Sequence, residues 1–96
     1  MRLKVLAPAQ ADVGEAVEFY GKISLDLGRA FLGEIKRGYA QLRREPLIGS
    51  PVEHHERKYV LKRYPYNLIY RIEESTIFIL AVAHHRRKPG YWREEP

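Results

Sequence analysis

The stretch from His84 to Trp92, HHRRKPGYW, holds the densest set of groups able to do chemistry. Imidazoles gain and lose protons near neutral pH, so His84 or His85 could serve in acid/base work or bind phosphate. Arg86, Arg87 and Lys88 stand beside Tyr91 and Trp92. Cations interleaved with aromatic rings can pair with phosphates and stack on bases, or pack against a partner peptide. A plainer reading competes. His84 and His85 then mark the end of a strand, and Trp92 folds back as a lid on the helices through a turn at Pro89-Gly90. A small domain with one tryptophan usually uses it for packing, and that reading of Trp92 is favoured.

Other chemistries find little support. The second histidine pair, His54-His55, lies in a stretch of loop composition and reads as solvated. Adjacent residues of a strand point to opposite faces, so each pair offers at most one ligand to a site. There is no HExxH spacing and no cysteine, so no metal site is expected. The sequence lacks GxxxxGK[ST], GxGxxG and GxSxG, which argues against nucleotide hydrolysis and serine-type acyl transfer, and no cofactor is expected. The carboxylates lie mainly at i,i+3 spacing on helical stretches and do not form a catalytic pair.

The elements that must position these groups follow from length, charge and periodicity. Ninety-six residues suit one domain over 1–96, with 45% hydrophobic and 30% charged residues as in globular proteins. No apolar run approaches the roughly 18 residues of a membrane span, and the N-terminus lacks a long apolar segment of the secretory kind. A reducing, cytoplasmic setting without membrane contact is expected. Residues 1–56 carry eight Lys/Arg and eight Asp/Glu, whereas residues 57–96 carry nine against four, so the net charge of +5 lies wholly in the second part. Such a bias suits an anionic partner, nucleic acid or acidic peptide, or else a solvated strand face.

Residues 2–6 alternate as a short strand. Pro8 suits a first helical turn, and Val13, Ala16, Val17, Tyr20 and Ile23 predict a helix over 8–23. Ser24 or Asp26 caps a second helix over 26–44, with Leu27, Phe31, Ile35 and Leu42 on one side and Pro46 as its stop. The link is short, so the helices form an antiparallel hairpin. Gly28, Gly33 and Gly38 share no face and are given no close-packing role. Residues 45–56 read as loop. Strands follow over 58–64, 66–73 and 76–84, the last apolar on both faces. The order predicts a two-layer α+β domain, strand–helix–helix–three-stranded meander. The helical hairpin packs on one face of a mainly antiparallel four-stranded sheet. The other face stays uncovered as the working surface, decorated by the excess charge.

EAVEFY (15–20), AFLGEI (30–35), RYPYNLIYRIE (63–73) and VAHHRRKPGYW (82–92), in this element order, resemble the ParE/RelE toxin superfamily, and the last two its ParE-like branch. The resemblance covers nearly the whole chain. It implies the toxin of a type II toxin–antitoxin, plasmid-stabilisation module, held in a hetero-oligomer by a ParD-like antitoxin with an acidic C-terminal segment. ParE-like members are regarded as inhibitors of DNA gyrase, whereas RelE-like members cut mRNA in the ribosome. RNA cleavage needs a proton acceptor, cations for the phosphate and a donor to the leaving oxygen. By motif, the middle-strand arginine of RelE-like nucleases falls at Asn67 and the arginine after the last strand at His85. If the chain were a nuclease, Lys58, His84, His85, Arg87 and Tyr91 would carry the reaction. Otherwise no residue is catalytic, and target or antitoxin binding falls to Arg57, Lys58, Lys62, Arg63, Asn67, Arg71, Arg86, Arg87, Lys88, Tyr91 and Trp92. Gyrase inhibition is the favoured reading. A ribosome-dependent endonuclease and a non-toxic binding module of the same fold stand as alternatives.

Overall fold

The computed structural model describes residues 1–93; Glu94 and Glu95, counted in the charge above, lie outside the described residues. The alternating N-terminus is a strand, β1 (Arg2–Val5), and Pro8 sits in the opening turn of helix α1 (Ala7–Ile23), where its missing amide hydrogen is not needed. Ser24 ends α1 and caps α2 (Leu25–Arg44): its hydroxyl accepts the Leu27 amide at 3.0 Å. With one residue between them, the helices fold back on each other as a hairpin.

Two glycines make that packing possible, against the expectation that none had a close-packing role. A Cβ on Gly28 would lie 3.1 Å from Gly21 Cα of α1, and one on Gly38 would lie 2.9 Å from Leu68 Cδ1 of the sheet. They need no common face because one approaches the other helix and the other approaches a strand.

The remaining elements are β2 (Ser50–Pro51), β3 (Arg57–Val60), β4 (Tyr66–Glu73), β5 (Thr76–His84) and a 3-10 turn (Tyr91–Arg93). The sheet runs β1-β5-β4-β3-β2, with β1 parallel to β5 and the other pairs antiparallel. It has five strands where four were expected. The addition is β2, which pairs Ser50 with Lys58 and Pro51 with Arg57 inside the segment read as loop. Two residues show no periodicity, and a proline is tolerated only at such an edge. β3 stops at Val60 instead of continuing to residue 64. Pro65 cannot donate to a ladder, and the chain turns so that the Leu61 amide reaches Tyr66 O at 3.0 Å.

β5 carries a bulge. Ile69 stands opposite Ala81 and Tyr70 opposite Ile79, leaving Leu80 as the extra residue. Leu80 and Ala81 therefore join one cluster on the sheet face away from the helices, while Ile79 and Val82 both join the core under the helices. Both faces of β5 are covered by apolar side chains, which is why the strand reads as apolar on both. The core beneath the hairpin is Phe31, Ile35, Leu42, Leu68, Tyr70, Ile77, Ile79 and Val82, all fully buried.

The second face is not left bare. The chain after β5 turns back so that Tyr91 and Trp92 pack on Ile69, Leu80, Ala81 and Ala83. Trp92 does fold back, but onto the sheet and not onto the helices, because the helical side is already filled.

Candidate functional site

The adjacent histidines of β5's end serve opposite faces. His84 turns its ring edge to Tyr66 on the helical side, centroids 5.0 Å apart, and its Nδ1 accepts the Arg86 amide at 3.0 Å. His85 faces the other side, where its Nε2 lies 3.1 Å from Asn67 Oδ1. An amide oxygen only accepts, so that imidazole nitrogen donates.

On this side lies a groove of about 720 Å³ between the sheet and the folded-back tail, lined by Lys58, Asn67, Ile69, Ala83, His85, Arg87 and Trp92 among others. His84 also reaches its rim. Register places Lys58 beside Ile69, and Val60 beside Asn67. Of the five residues predicted for RNA cleavage, Lys58, His84, His85 and Arg87 come together here. Tyr91 does not line the groove. Its hydroxyl donates to Asp12 Oδ2 at 2.7 Å, and its ring lies 3.8 Å under the Arg87 guanidinium. Burial first, and then that bond to a carboxylate, push the Tyr91 phenol well above its ordinary pKa.

The tail is held at both ends by carboxylates. Asp12 of α1 accepts the Tyr91 hydroxyl and also the Val82 amide, at 2.9 Å. The Val82 amide lies on β5 beyond the end of its pairing with β1, so Asp12 supplies the acceptor that a neighbouring strand would have given. Burial raises the Asp12 carboxyl above its usual range, outweighing the two hydrogen bonds that pull it down. At the other end, Glu56 is only 4% exposed. Arg93 grips it through Nη2 at 2.6 Å and Nε at 3.1 Å, and Trp92 Nε1 donates at 3.3 Å. Burial works to raise this carboxyl, but the bonds from Arg93 and Trp92 together hold it below the usual range.

The other predicted cations scatter. Arg57 is spent on structure, donating to Leu47 O at 3.2 Å and Gly49 O at 2.6 Å. Arg71 pairs with Glu73 at 2.6 Å. Lys62 lines a second groove of about 340 Å³ between α2 and β3, with Arg37, Arg44, Gly38, Tyr59 and Leu61. Arg63 stands exposed in the β3–β4 turn, and Arg86 and Lys88 are exposed after β5. The excess charge is therefore shared between two grooves and a turn, and does not simply coat the second sheet face.

Sequence reasoning passed over Asp12, Glu56 and Arg93. For Asp12 a signal existed: it lies three residues after Ala9 and four before Ala16, both buried, so it shares their face of α1. Glu56 had none. His54 and His55 stand exposed in a turn, as their loop composition predicts, and both hold positive φ, 61° and 60°. Among the described residues, no group of three or more His, Cys, Asp or Glu could hold a metal ion, and no helix is long and apolar enough to cross a membrane.

The chain is thus a small α+β domain with a helical hairpin on one face of a mixed sheet and a groove lined by Lys58, His85 and Arg87 on the other. The fold is similar to that of a structure described as "Chromosomal ParDE TA system from P. aeruginosa", with a TM-score of 0.66 and 23% identity over 88% of this chain and 95% of that one. No curated protein matches the chain. Residues 3–89 match the family described as "ParE toxin of type II toxin-antitoxin system, parDE". The chain belongs to the ParE toxin family.

Proposed function

We propose that the chain acts in the cytoplasm by binding and inhibiting DNA gyrase, without catalysis, and that a ParD-like antitoxin with an acidic C-terminal segment neutralises it. The observation that carries the non-catalytic reading is Asn67. Where RelE-like nucleases place a phosphate-holding arginine, this groove has an uncharged amide bound to His85. A neutral amide does little for the charge of a phosphorane. Tyr91, the candidate donor to a leaving oxygen, is tied to Asp12 instead. For the antitoxin, the groove between α2 and β3 offers Arg44 and Lys62, beside an Arg37 already paired with Glu34 at 3.1 Å, over an apolar floor of Tyr59 and Leu61. Cations above apolar anchors suit an acidic amphipathic segment. Purified protein should block negative supercoiling of relaxed plasmid by gyrase, and an equimolar ParD-like partner should restore it. Unchanged supercoiling at micromolar toxin would overturn the proposal.

One observation favours a second reading, a ribosome-dependent mRNA endonuclease: Lys58, His84, His85 and Arg87 share one groove. Primer extension on translated mRNA decides it. New codon-specific ends that vanish in an Arg87→Ala, His85→Ala variant would establish cleavage.

A further inference from the structure

A cleft of about 330 Å³ opens between the outer side of α1 and the end of β5. It lies on the helical side of the sheet and shares only His84 and Arg87 with the larger groove on the other side. Its wall is a run of rings in contact: Phe19 on Tyr20 at 5.2 Å, Tyr20 on Tyr66 at 6.4 Å, and Tyr66 on His84 at 5.0 Å. Its lip carries Asp12 and Glu15, one helical turn apart. We propose that this cleft receives a basic side chain, arginine or lysine, from a segment of a partner protein.

Charge complementarity is the first argument. The chain has a net charge of +5, yet two carboxylates meet here against one cation, Arg87. Arg87 offsets Asp12 only in part and at a distance: its charge favours the Asp12 carboxylate without overcoming burial, its guanidinium stacks on Tyr91, and it forms no ion pair within 4 Å among the described residues. Glu15 is exposed and takes part in none of those pairs either. Burial already disfavours the charged form of Asp12, a penalty an incoming cation would relieve.

The rings are the second argument. Phe19 is 60% exposed, although Ala16, Val17 and Tyr20 of α1 pack into the core. An aromatic face beside carboxylates attracts a cation through the ring quadrupole as well as through charge. Four residues on, Ile23 is 63% exposed and continues the same side of the helix, so an aliphatic residue next to the basic one also finds a contact. This inference does not depend on gyrase or on the antitoxin.

The test uses the full chain and the probe peptide acetyl-Leu-Arg-Leu-amide, followed by amide chemical shifts. Saturable shifts are expected at Glu15, Phe19, Val82 and His84. Replacing the probe's arginine by uncharged citrulline should weaken binding about fivefold, as should Glu15→Gln or Phe19→Ala in the protein. Both substituted side chains are exposed, and Glu15→Gln removes only charge, so loss of fold does not confuse the result. No saturable shift at these amides would overturn the proposal. So would equal binding of the citrulline peptide, or shifts at Phe19 produced only by a thymidine oligonucleotide, which would mark a base-stacking surface.

Discussion

Tyr91 donates its hydroxyl to the Asp12 carboxylate at 2.7 Å across 79 residues of sequence, tying the folded-back tail to the first helix. The same Asp12 oxygen accepts the amide of Val82, which is almost wholly buried. Asp12→Ala leaves both donors unpaired. A buried polar group without a partner costs about 1–3 kcal/mol, so the variant should lose about 2 kcal/mol and roughly 10 °C of Tm. Tyr91→Phe removes one bond and should lose about 1 kcal/mol. The double variant should lose less than the sum, because both changes delete the same bond. Calorimetry checks this series, and an unshifted Tm in Asp12→Ala would show that the bond carries no stability.

The two carboxylates that hold the tail should respond to acid in opposite senses. The Asp12 pKa is raised in the folded protein, so the native state binds more protons. Stability from this group is highest at low pH and falls as pH rises from 3.8 through the folded value. Glu56 is lowered from 4.5, so its contribution is full above 4.5 and is lost as pH falls through the folded value. Trp92 is the one tryptophan of the chain and donates to Glu56, so its fluorescence reports the second event directly. Emission should shift to the red below pH 4.5. Glu56→Gln should be red-shifted already at pH 7 and lose about 2 kcal/mol, since hydrogen bonds to a charged group exceed neutral ones. Identical emission spectra at pH 7 and pH 3 would count against Glu56 as the anchor.

What the sequence disclosed and what it hid divide along a physical line. Both helices and the two long meander strands were legible because their signals are local. Phe31, Ile35 and Leu42 recur at helical steps, and Tyr66, Leu68 and Tyr70 alternate. The opposite facing of His84 and His85 also follows from strand geometry alone. The bulge at Leu80 was hidden, because a strand apolar on both faces gives no phase to read. β2 was hidden because two residues have no period. The tail's placement was hidden for another reason. Asp12–Tyr91 and Glu56–Arg93 meet only after the sheet has formed, and no spacing in the chain announces a pair 79 or 37 residues apart.

Two glycines in helices should answer alanine with opposite signs. Alanine gains up to about 1 kcal/mol over glycine in a helix interior. At Gly14 a new Cβ meets nothing within 4 Å, so Gly14→Ala should raise stability by about 0.5–1 kcal/mol. At Gly38 the new Cβ lies 2.9 Å from Leu68 Cδ1 and 3.4 Å from Leu61 Cδ2. Leu68 is fully buried and has little room to move, so overpacking of about 1–3 kcal/mol outweighs the helix gain. Chemical denaturation should place the two midpoints on opposite sides of the parent protein, and a stabilised Gly38→Ala would show that Leu68 repacks freely.

Tyr70 decides how firmly the segment between α2 and β3 is seated. Its side chain is fully buried in β4, yet its hydroxyl emerges under that segment, donating to Pro46 O at 2.7 Å and accepting the Gly49 amide at 2.9 Å. The segment is thereby fixed to the core on both sides of Ile48, and Gly49 is required there because a Cβ would lie 2.7 Å from the same hydroxyl. Tyr70→Phe keeps the ring and strands two backbone groups. The expected cost is about 1–2 kcal/mol, close to that of one or two lost hydrogen bonds. The loss should be local as well as global. β2 begins at Ser50, next to Gly49, and Arg57 braces the Leu47 and Gly49 carbonyls of the same segment, so hydrogen exchange of the Ser50 and Val52 amides should accelerate well beyond that of α1. Uniform acceleration across the whole chain would mean instead that Tyr70 acts only through the core.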